Sequence, residues 1–420
     1  MHLLHGPIIR VAPDEISYAH PDAWADILQP KPGGRPPFPK DPTWWNPMPG
    51  SAPGIISNTD ETLHALLRRH LSPGFTSRAI TSHEQIVHQY VDLLIDRWRE
   101  AIRAGNTEID IMRWFNYLTF DIFALIFENL KFNGAMIAAR FYPLVDGMLA
   151  KMIPATLVEA KKLHERLIAD KVRRRLDGGG KRLDLMAGVQ AAVEEKNGKG
   201  LSMRIVNAMF GELAVAGSET SAMALSAAVN LLMHNRDKME VPVKEVRGRF
   251  RRYEEIDAQS TRDVAYLNAV LNEVLRLCPP VPYMPPRRVP EGGGMVCGRL
   301  LPAGSRVSIT FSCMHRELSS FHDPSSFCPE RWLPEATENP DSPFYHDKRH
   351  AAQPFLVGPH SCIGQNLAWV EMRVALAKVL WTFDIAAPKD EAKWVRWESL
   401  KTFLLIEKRP LIAVLQARTA

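Results

Sequence analysis

The sequence predicts a mainly α-helical chain with small β-sheets, on three observations. From Glu61 onward, apolar residues recur at helical spacing through most of the chain. One apolar segment, Leu201 to Leu232, is far too long for a strand. The strand-like runs are short and lie near the two ends and around residues 295–310.

In chain order, Ile8 to Val11 and Glu15 to Tyr18 flank Ala12-Pro13-Asp14 and read as two short strands. Pro30 to Gly54 is rich in proline and glycine and reads as a long loop. It also holds Phe38, Trp44, Trp45 and Met48, which a plain linker would rarely carry. Such a loop either covers a site or is pinned by its own aromatics. Asp110 to Phe127, Ile137 to Lys151 and Thr156 to Leu176 have helical spacing. The apolar run Phe120 to Phe127 contains Asp121 and falls short of the roughly 20 residues of a membrane span. Gly178-Gly179-Gly180 is a break that lacks the lysine and hydroxyl of a phosphate loop. Asp263 to Leu277 reads as a helix stopped by Pro279-Pro280. Short strands follow around Met295 to Leu300 and Arg306 to Thr310. Gln365 to Asp384 is helical, with Leu367, Val370, Met372, Ala375 and Val379 on its apolar side. Thr402 to Glu407 and Leu411 to Leu415 look like a hairpin around Lys408-Arg409-Pro410. No internal repeat is visible.

With 420 residues and 46% apolar content, the chain can bury a large core, as one helical body or as two or three domains. A net charge of +5, spread along the chain, is too weak to point to nucleic acid. Five cysteines, an odd number with no CxxC pair, suit a reducing compartment better than a disulfide framework. None of the 14 histidines shows a paired zinc-ligand spacing with a cysteine. The opening Met1-His2-Leu3-Leu4-His5-Gly6-Pro7 does not read as a signal peptide.

The most informative stretch is Phe355-Leu356-Val357-Gly358-Pro359-His360-Ser361-Cys362-Ile363-Gly364. A lone cysteine is usually a packed hydrophobe. A thiolate can also be the axial ligand of a haem iron. That role needs a tight loop, which Gly358 permits, and close backbone approach, which Gly364 permits. Phe355 can shield the sulfur from water. A helix that begins just after Cys362 aims its positive end at the thiolate. The other four cysteines, Cys278, Cys297, Cys313 and Cys328, have no such surroundings and read as packing residues.

A second unusual stretch is Ala216-Gly217-Ser218-Glu219-Thr220-Ser221, in the middle of the long apolar helix. Carboxylates are seldom buried without partners. Gly217 weakens the helix by about 1 kcal/mol relative to alanine and could open it locally. Taken alone, a capped or bent helix would explain the segment. Glu273 and Arg276 lie three residues apart on one helix face among Leu271, Val274, Leu275 and Leu277. That setting suggests a buried pair in need of further partners.

Phe355, Gly358, His360, Cys362 and Gly364 fall at the spacing F-x-x-G-x-[R/H]-x-C-x-G. This resembles the haem-binding loop of the cytochrome P450 family, the haem-thiolate monooxygenases. The likeness runs from Gly6-Pro7-Ile8 to the C-terminal segment and is strongest to fungal enzymes of secondary metabolism, such as those hydroxylating polyketide or terpenoid skeletons. It implies the cytochrome P450 fold over a single catalytic domain, residues 1–420, with haem b between the long central helix and the cysteine loop. It also implies roles. Cys362 would ligate the iron, and Glu219 and Thr220 would deliver protons for oxygen cleavage. Glu273, Arg276 and Arg331 would form a structural network. His64, Arg68 and His360 would hold the haem propionates, with Arg287 (or Arg288, if the register of Pro286-Arg287-Arg288-Val289-Pro290 slips by one). His360 stands where arginine is commoner, and lacks its permanent charge and donor fork. Regions around Val281 to Met284 and Phe403 to Leu405 match substrate-contact segments but are equally apt as core.

The implied reaction uses dioxygen and electrons from NADPH, passed on by a separate cytochrome P450 reductase, with cytochrome b5 as a second candidate donor. No G-x-G-x-x-G turn offers a dinucleotide site in this chain. The mild basic charge suits docking of an acidic donor, though a solvated basic surface is the plainer reading. The substrate would be a small hydrophobic molecule and the enzyme a monomer. Eukaryotic members usually begin with a membrane anchor and a proline-rich hinge, and this chain starts after both, so it is expected to be either a soluble form or a truncated sequence. The expected location is therefore intracellular, either at the cytoplasmic face of the endoplasmic reticulum or in the cytoplasm. Two other readings remain: a haem-thiolate isomerase or dehydratase that needs no reductase, and a non-catalytic haem-binding protein.

Overall fold

The computed structural model describes residues 1–45, 47, 51–119, 155–178, 186–193, 200–402 and 404–418. Its strands, in chain order, are β1 (Ile8–Ala12), β2 (Glu15–Tyr18), β3 (Glu108–Asp110), β4 (Met284–Arg288), β5 (Gly294–Val296), β6 (Arg299–Leu301), β7 (Arg306–Ile309), β8 (Phe383–Ala386) and β9 (Ile412–Ala417). Its principal helices are α1 (Glu61–Leu71), α2 (Ser77–Arg103), α3 (Ile111–Thr119), α4 (Ala155–Asp177), α5 (Met203–His234), α6 (Arg236–Arg249), α7 (Ala265–Leu277) and α8 (Gln365–Thr382). The fold is the mainly helical one expected, with small sheets.

Helix α5 is the spine. Ser202 caps it, its side chain accepting the N–H of Ile205 at 3.4 Å. Between Ser218 and Met233 nearly every residue is buried, and α3, α4, α7 and α8 pack around it. A helix apolar on all sides is what such a central position requires. Helix α7 has no cap of its own. Glu245 of α6 accepts the N–H groups of Tyr266 and Leu267, both at 3.0 Å, and so satisfies two orphan donors with a charge that suits the helix N-terminus.

The first sheet has the order β1-β2-β7-β4, with β2 parallel to β7 and the other pairs antiparallel. A second sheet is ordered β3-β9-β8. The stretch Met295 to Leu300 is not one strand. Cys297 and Gly298 both take positive φ, 48° and 74°, and turn the chain into the β5–β6 hairpin. The expected C-terminal hairpin is also absent. Thr402 meets only Ile406 in an isolated bridge, and β9 pairs with β3 and β8 instead. Pro410 has no N–H to extend a local ladder, while Asp110 accepts the N–H of Leu411 at 3.1 Å and draws the strand toward β3. The helix expected from Asp110 starts one residue later, after β3, and the one expected to Asp384 ends at Thr382, where β8 begins. Residues 120–127, the helix read over Ile137 to Lys151, and Met48, Gly179, Gly180 and Phe403 lie outside the described residues.

In the described part of the Pro30–Gly54 loop, Phe38 and Trp45 pin the chain. Phe38 is buried against Gly294, where a Cβ would come within 2.4 Å of the ring, and Trp45 Nε1 donates to Pro286 O at 2.9 Å. Met284 is buried in the core beside the first sheet. No helix among the described residues is long and apolar enough to cross a membrane.

Candidate active site

Cys362 ends a loop that is closed on itself: its N–H donates to Phe355 O at 2.7 Å. Leu356 and Gly358 take left-handed backbone, φ 60° and 75°. At Gly358 a Cβ would lie 2.1 Å from Leu28 O, so both φ and space require glycine. Gly364 is different. A Cβ there would meet only Cys362 Sγ, at an ordinary 3.9 Å, so the protein's own packing does not demand glycine. Helix α8 starts at Gln365, as expected. Burial raises the Cys362 thiol, while the N–H groups of Gly364 and Gln365 and the Arg68 guanidinium pull it back toward the thiolate. Cys362 is crowded by protein yet keeps accessible surface. The Phe355 ring stands 6.1 Å from Trp369.

Around this loop lies a cluster of cations. Asp60 caps α1, accepting the N–H groups of Thr62 and Leu63, and so orients His64 and Arg68 on one face. Arg68 donates to Ser361 O at 2.6 Å and Ser361 Oγ at 3.1 Å, so it holds the cysteine loop itself. His64 stacks on His360 at 4.1 Å. Glu61, which sequence reading did not single out, accepts from His360 Nε2 at 2.8 Å. Burial alone would raise the Glu61 carboxyl, but His360, Arg287 and His64 outweigh it and keep it ionised. Burial also pushes His360 toward the neutral form, and a neutral imidazole N–H still serves that carboxylate. His64 is pushed down to about 3, by burial first and then by His360 and Lys40.

The register of the two arginines is settled by their surroundings. Arg288 is half exposed and pairs with Asp41 at 2.8 Å. Arg287 is 1% exposed, with one donor on Phe38 O at 3.2 Å and its Nε without an acceptor. Lys40, another group not anticipated, is buried beside it. Lys40 and Arg287 lie over the same Trp45 ring, at 5.0 and 5.8 Å from its centroid. Burial, then Arg287, pushes the Lys40 ammonium down to about 7.

Glu61, His64 and His360 place ligand atoms within 4.8 Å of one another, as a metal site would. Arg287, Lys40 and Arg68 make the neighbourhood one for an anion instead. A buried polar atom left unpaired costs about 1–3 kcal/mol, and here the Arg287 Nε donor and the His360 Nδ1 are both orphaned, the latter able to donate only when the ring is protonated. Two carboxylates beside a thiol ligand would satisfy such a site. The residues therefore fit a haem, whose iron Cys362 would ligate and whose propionates this cluster would hold.

Glu273, Arg276 and Arg331 are brought together with no exposure at all. Asp347 completes the network by pairing with Arg331 NH1.

Helix α5 runs unbroken past Gly217, so the expected local opening is not formed. A Cβ at Gly217 would meet nothing within 4 Å, so this face has open space beside it. Thr220 Oγ1 donates to Ala216 O at 2.7 Å. Glu219 is buried and forms an ion pair with Lys408, which sequence reading had placed in a hairpin turn. Ser221 Oγ donates to Glu371 Oε2 of α8 at 2.9 Å. That serine is the only hydrogen-bond partner found for the Glu371 side chain among the described residues, and burial raises its carboxyl to about 7.

Glu371 gives a pH prediction. With its folded pKa above the unfolded 4.5, the native state holds a proton that the unfolded chain has lost. Stability therefore falls as pH rises from about 4.5 through 7, by up to about 3 kcal/mol. Glu371→Gln keeps an acceptor for Ser221 and removes the penalty. Its melting temperature should match the wild type near pH 4.5 and exceed it at pH 8.5. Parallel pH profiles would refute the assignment.

An accessible cysteine on a tight glycine loop at a helix start, beside buried cations, suits a haem-thiolate oxidoreductase. Comparison with known proteins agrees. The profile described as Cytochrome P450 matches residues 18–414. Cytochrome P450 monooxygenase astJ of Aspergillus oryzae is 33% identical, covering all of this chain and 86% of that protein. Averantin hydroxylase of Dothistroma septosporum is 34% identical, over 98% of this chain and 81% of its own length. Trichothecene C-15 hydroxylase of Fusarium sporotrichioides is 32% identical, over 98% and 85%. The chain belongs to the cytochrome P450 family. It is a monooxygenase of the fungal secondary-metabolism type, with the haem iron, dioxygen chemistry, redox partner and hydrophobic substrate that the family implies.

Proposed function

We propose that this chain hydroxylates a small hydrophobic metabolite, drawing electrons from NADPH through a cytochrome P450 reductase. The observation that carries the reading is the Cys362 loop, with the residue exposed and its sulfur beside backbone N–H groups and Arg68. The two relatives named as hydroxylases support insertion of one oxygen atom as the outcome. Cys362 supplies the thiolate. His64, Arg287 and His360 hold the propionates, Arg68 braces the loop, and Phe355 shields the sulfur. When bound, haem supplies the activation of dioxygen. The rest falls to this chain's side chains: Glu219 Oε2 carries a proton inward and the Thr220 hydroxyl hands it on, general acid work worth about 10²–10⁴-fold. Glu273, Arg276 and Arg331 keep the loop's surroundings folded.

Thr220→Ala tests the proton path. With NADPH and a reductase, it should still consume NADPH, and the share of dioxygen recovered as hydrogen peroxide should rise several-fold. Unchanged peroxide yield would remove Thr220 from the path. An isomerase would show no NADPH consumption in either protein.

A further inference from the structure

Glu219 is placed where protons are needed but not where water is. Its side chain is 3% exposed, whereas that of Lys408, its ion-pair partner, is 21% exposed. Lys408 therefore connects the buried carboxylate to a side chain that water reaches. Its Nζ also donates to Asn116 Oδ1 of α3. The Asn116 amide is oriented by its other end, because Nδ2 donates to Met112 O at 2.6 Å. Lys408 thus keeps one acceptor whether or not the carboxylate is charged. Among the described residues, Glu219 is the charged group that faces it. Burial lowers the Lys408 ammonium, against the pull of Glu219, and so brings it closer to releasing a proton.

We propose that Lys408 is the solvent-side member of the proton path: its Nζ passes a proton to Glu219 Oε2 and is re-protonated by water at its exposed face. One N–H bond breaks and one O–H bond forms, turning the ion pair into a neutral amine and a neutral acid. When Glu219 hands its proton inward and the amine takes another from water, the original charges return. The inference rests on the reading of Glu219 as the acid.

Lysine is suited to this and arginine is not. A guanidinium keeps the charge and can hold the same carboxylate, but it does not give up its proton in a protein. The test uses Lys408→Arg, Lys408→Met and Glu219→Gln in the haem-loaded full chain. Thermal unfolding reads the ion pair. Peroxide recovered per dioxygen consumed, with NADPH and a reductase and no added substrate, reads proton delivery. Lys408→Arg should keep the wild-type melting temperature and haem spectrum, yet raise the peroxide share several-fold, with a larger solvent-deuterium effect on NADPH oxidation. Lys408→Met should raise the peroxide share and also melt earlier, and the Glu219→Gln background should remove most of that loss. A Lys408→Arg protein with wild-type peroxide yield and isotope effect overturns the proposal, because charge alone would then suffice. If Glu219→Gln raises peroxide while both Lys408 variants do not, this inference falls and the role of Glu219 stands. If Glu219→Gln itself changes nothing, the underlying reading of Glu219 falls.

Discussion

Cys362→Ser is expected to yield a folded protein whose reduced, carbon-monoxide-bound spectrum has lost the thiolate-type band, and whose NADPH-driven turnover falls to background. The argument is local. Cys362 keeps accessible surface, and its own N–H donates to Phe355 O. Serine preserves that bond and nearly the same volume, so the polypeptide itself should lose little stability. What changes is the donor atom. A hydroxyl is neither a soft ligand nor readily ionised, so the electron push on the iron disappears. Weaker haem binding then lowers the melting temperature by mass action, and added haem should restore only part of it. Circular dichroism checks the fold and the carbon-monoxide spectrum checks the ligand. An unaltered spectrum would place the iron ligand elsewhere and dismantle the site assignment.

How much of this was legible in the sequence depends on how local each signal is. The Cys362 loop was readable because its requirements fall within ten residues: a tight turn at Gly358, a ligand, and a helix start. Glu273 and Arg276 were readable because an i,i+3 pair among leucines already implies a buried helix face. The choice of Arg287 over Arg288 needed the structure, since only burial and the Asp41 pair separate them. Asp347, Lys40, Glu61 and Glu371 carried no local signal. Each acts through a partner on another element, and nothing in a run of neighbours says which partner that is. Lys408 was seen, but as a turn residue, because short apolar runs on either side of Lys408-Arg409-Pro410 resemble a hairpin. Strand pattern reports that a segment can pair, not with which strand, and Asp110, 301 residues away in sequence, draws this one toward β3. The Cys297–Gly298 turn was missed because a positive φ at cysteine is not advertised by the residue type.

Glu273→Ala is expected to be the most damaging single change to the fold, giving protein that purifies without haem and largely aggregated. One carboxylate here serves five donors. Arg276 Nε and NH2 reach it at 2.8 and 2.7 Å, Arg331 Nε at 3.1 Å, Cys328 N at 3.0 Å and Trp332 Nε1 at 2.8 Å. Both guanidinium groups are fully buried. Their remaining bonds go chiefly to backbone carbonyls of residues 315–326, with Asp347 the one other carboxylate, so the network also sets the path of the chain ahead of the cysteine loop. Removing Glu273 leaves two buried cations facing a single carboxylate, and breaking a buried pair costs about 3–5 kcal/mol. Whole domains are stable by only about 5–15 kcal/mol, so such a loss can consume most of the margin. Glu273→Gln separates charge from shape. It retains one carbonyl acceptor but brings two donor hydrogens toward Arg276 or Arg331, and should fall between wild type and alanine in melting temperature and haem content. Haem-to-protein ratio and thermal unfolding measure both. If Glu273→Ala incorporates haem normally and melts with the wild type, the buried charge balance drawn here is wrong, and the cysteine loop is held by something other than these three side chains.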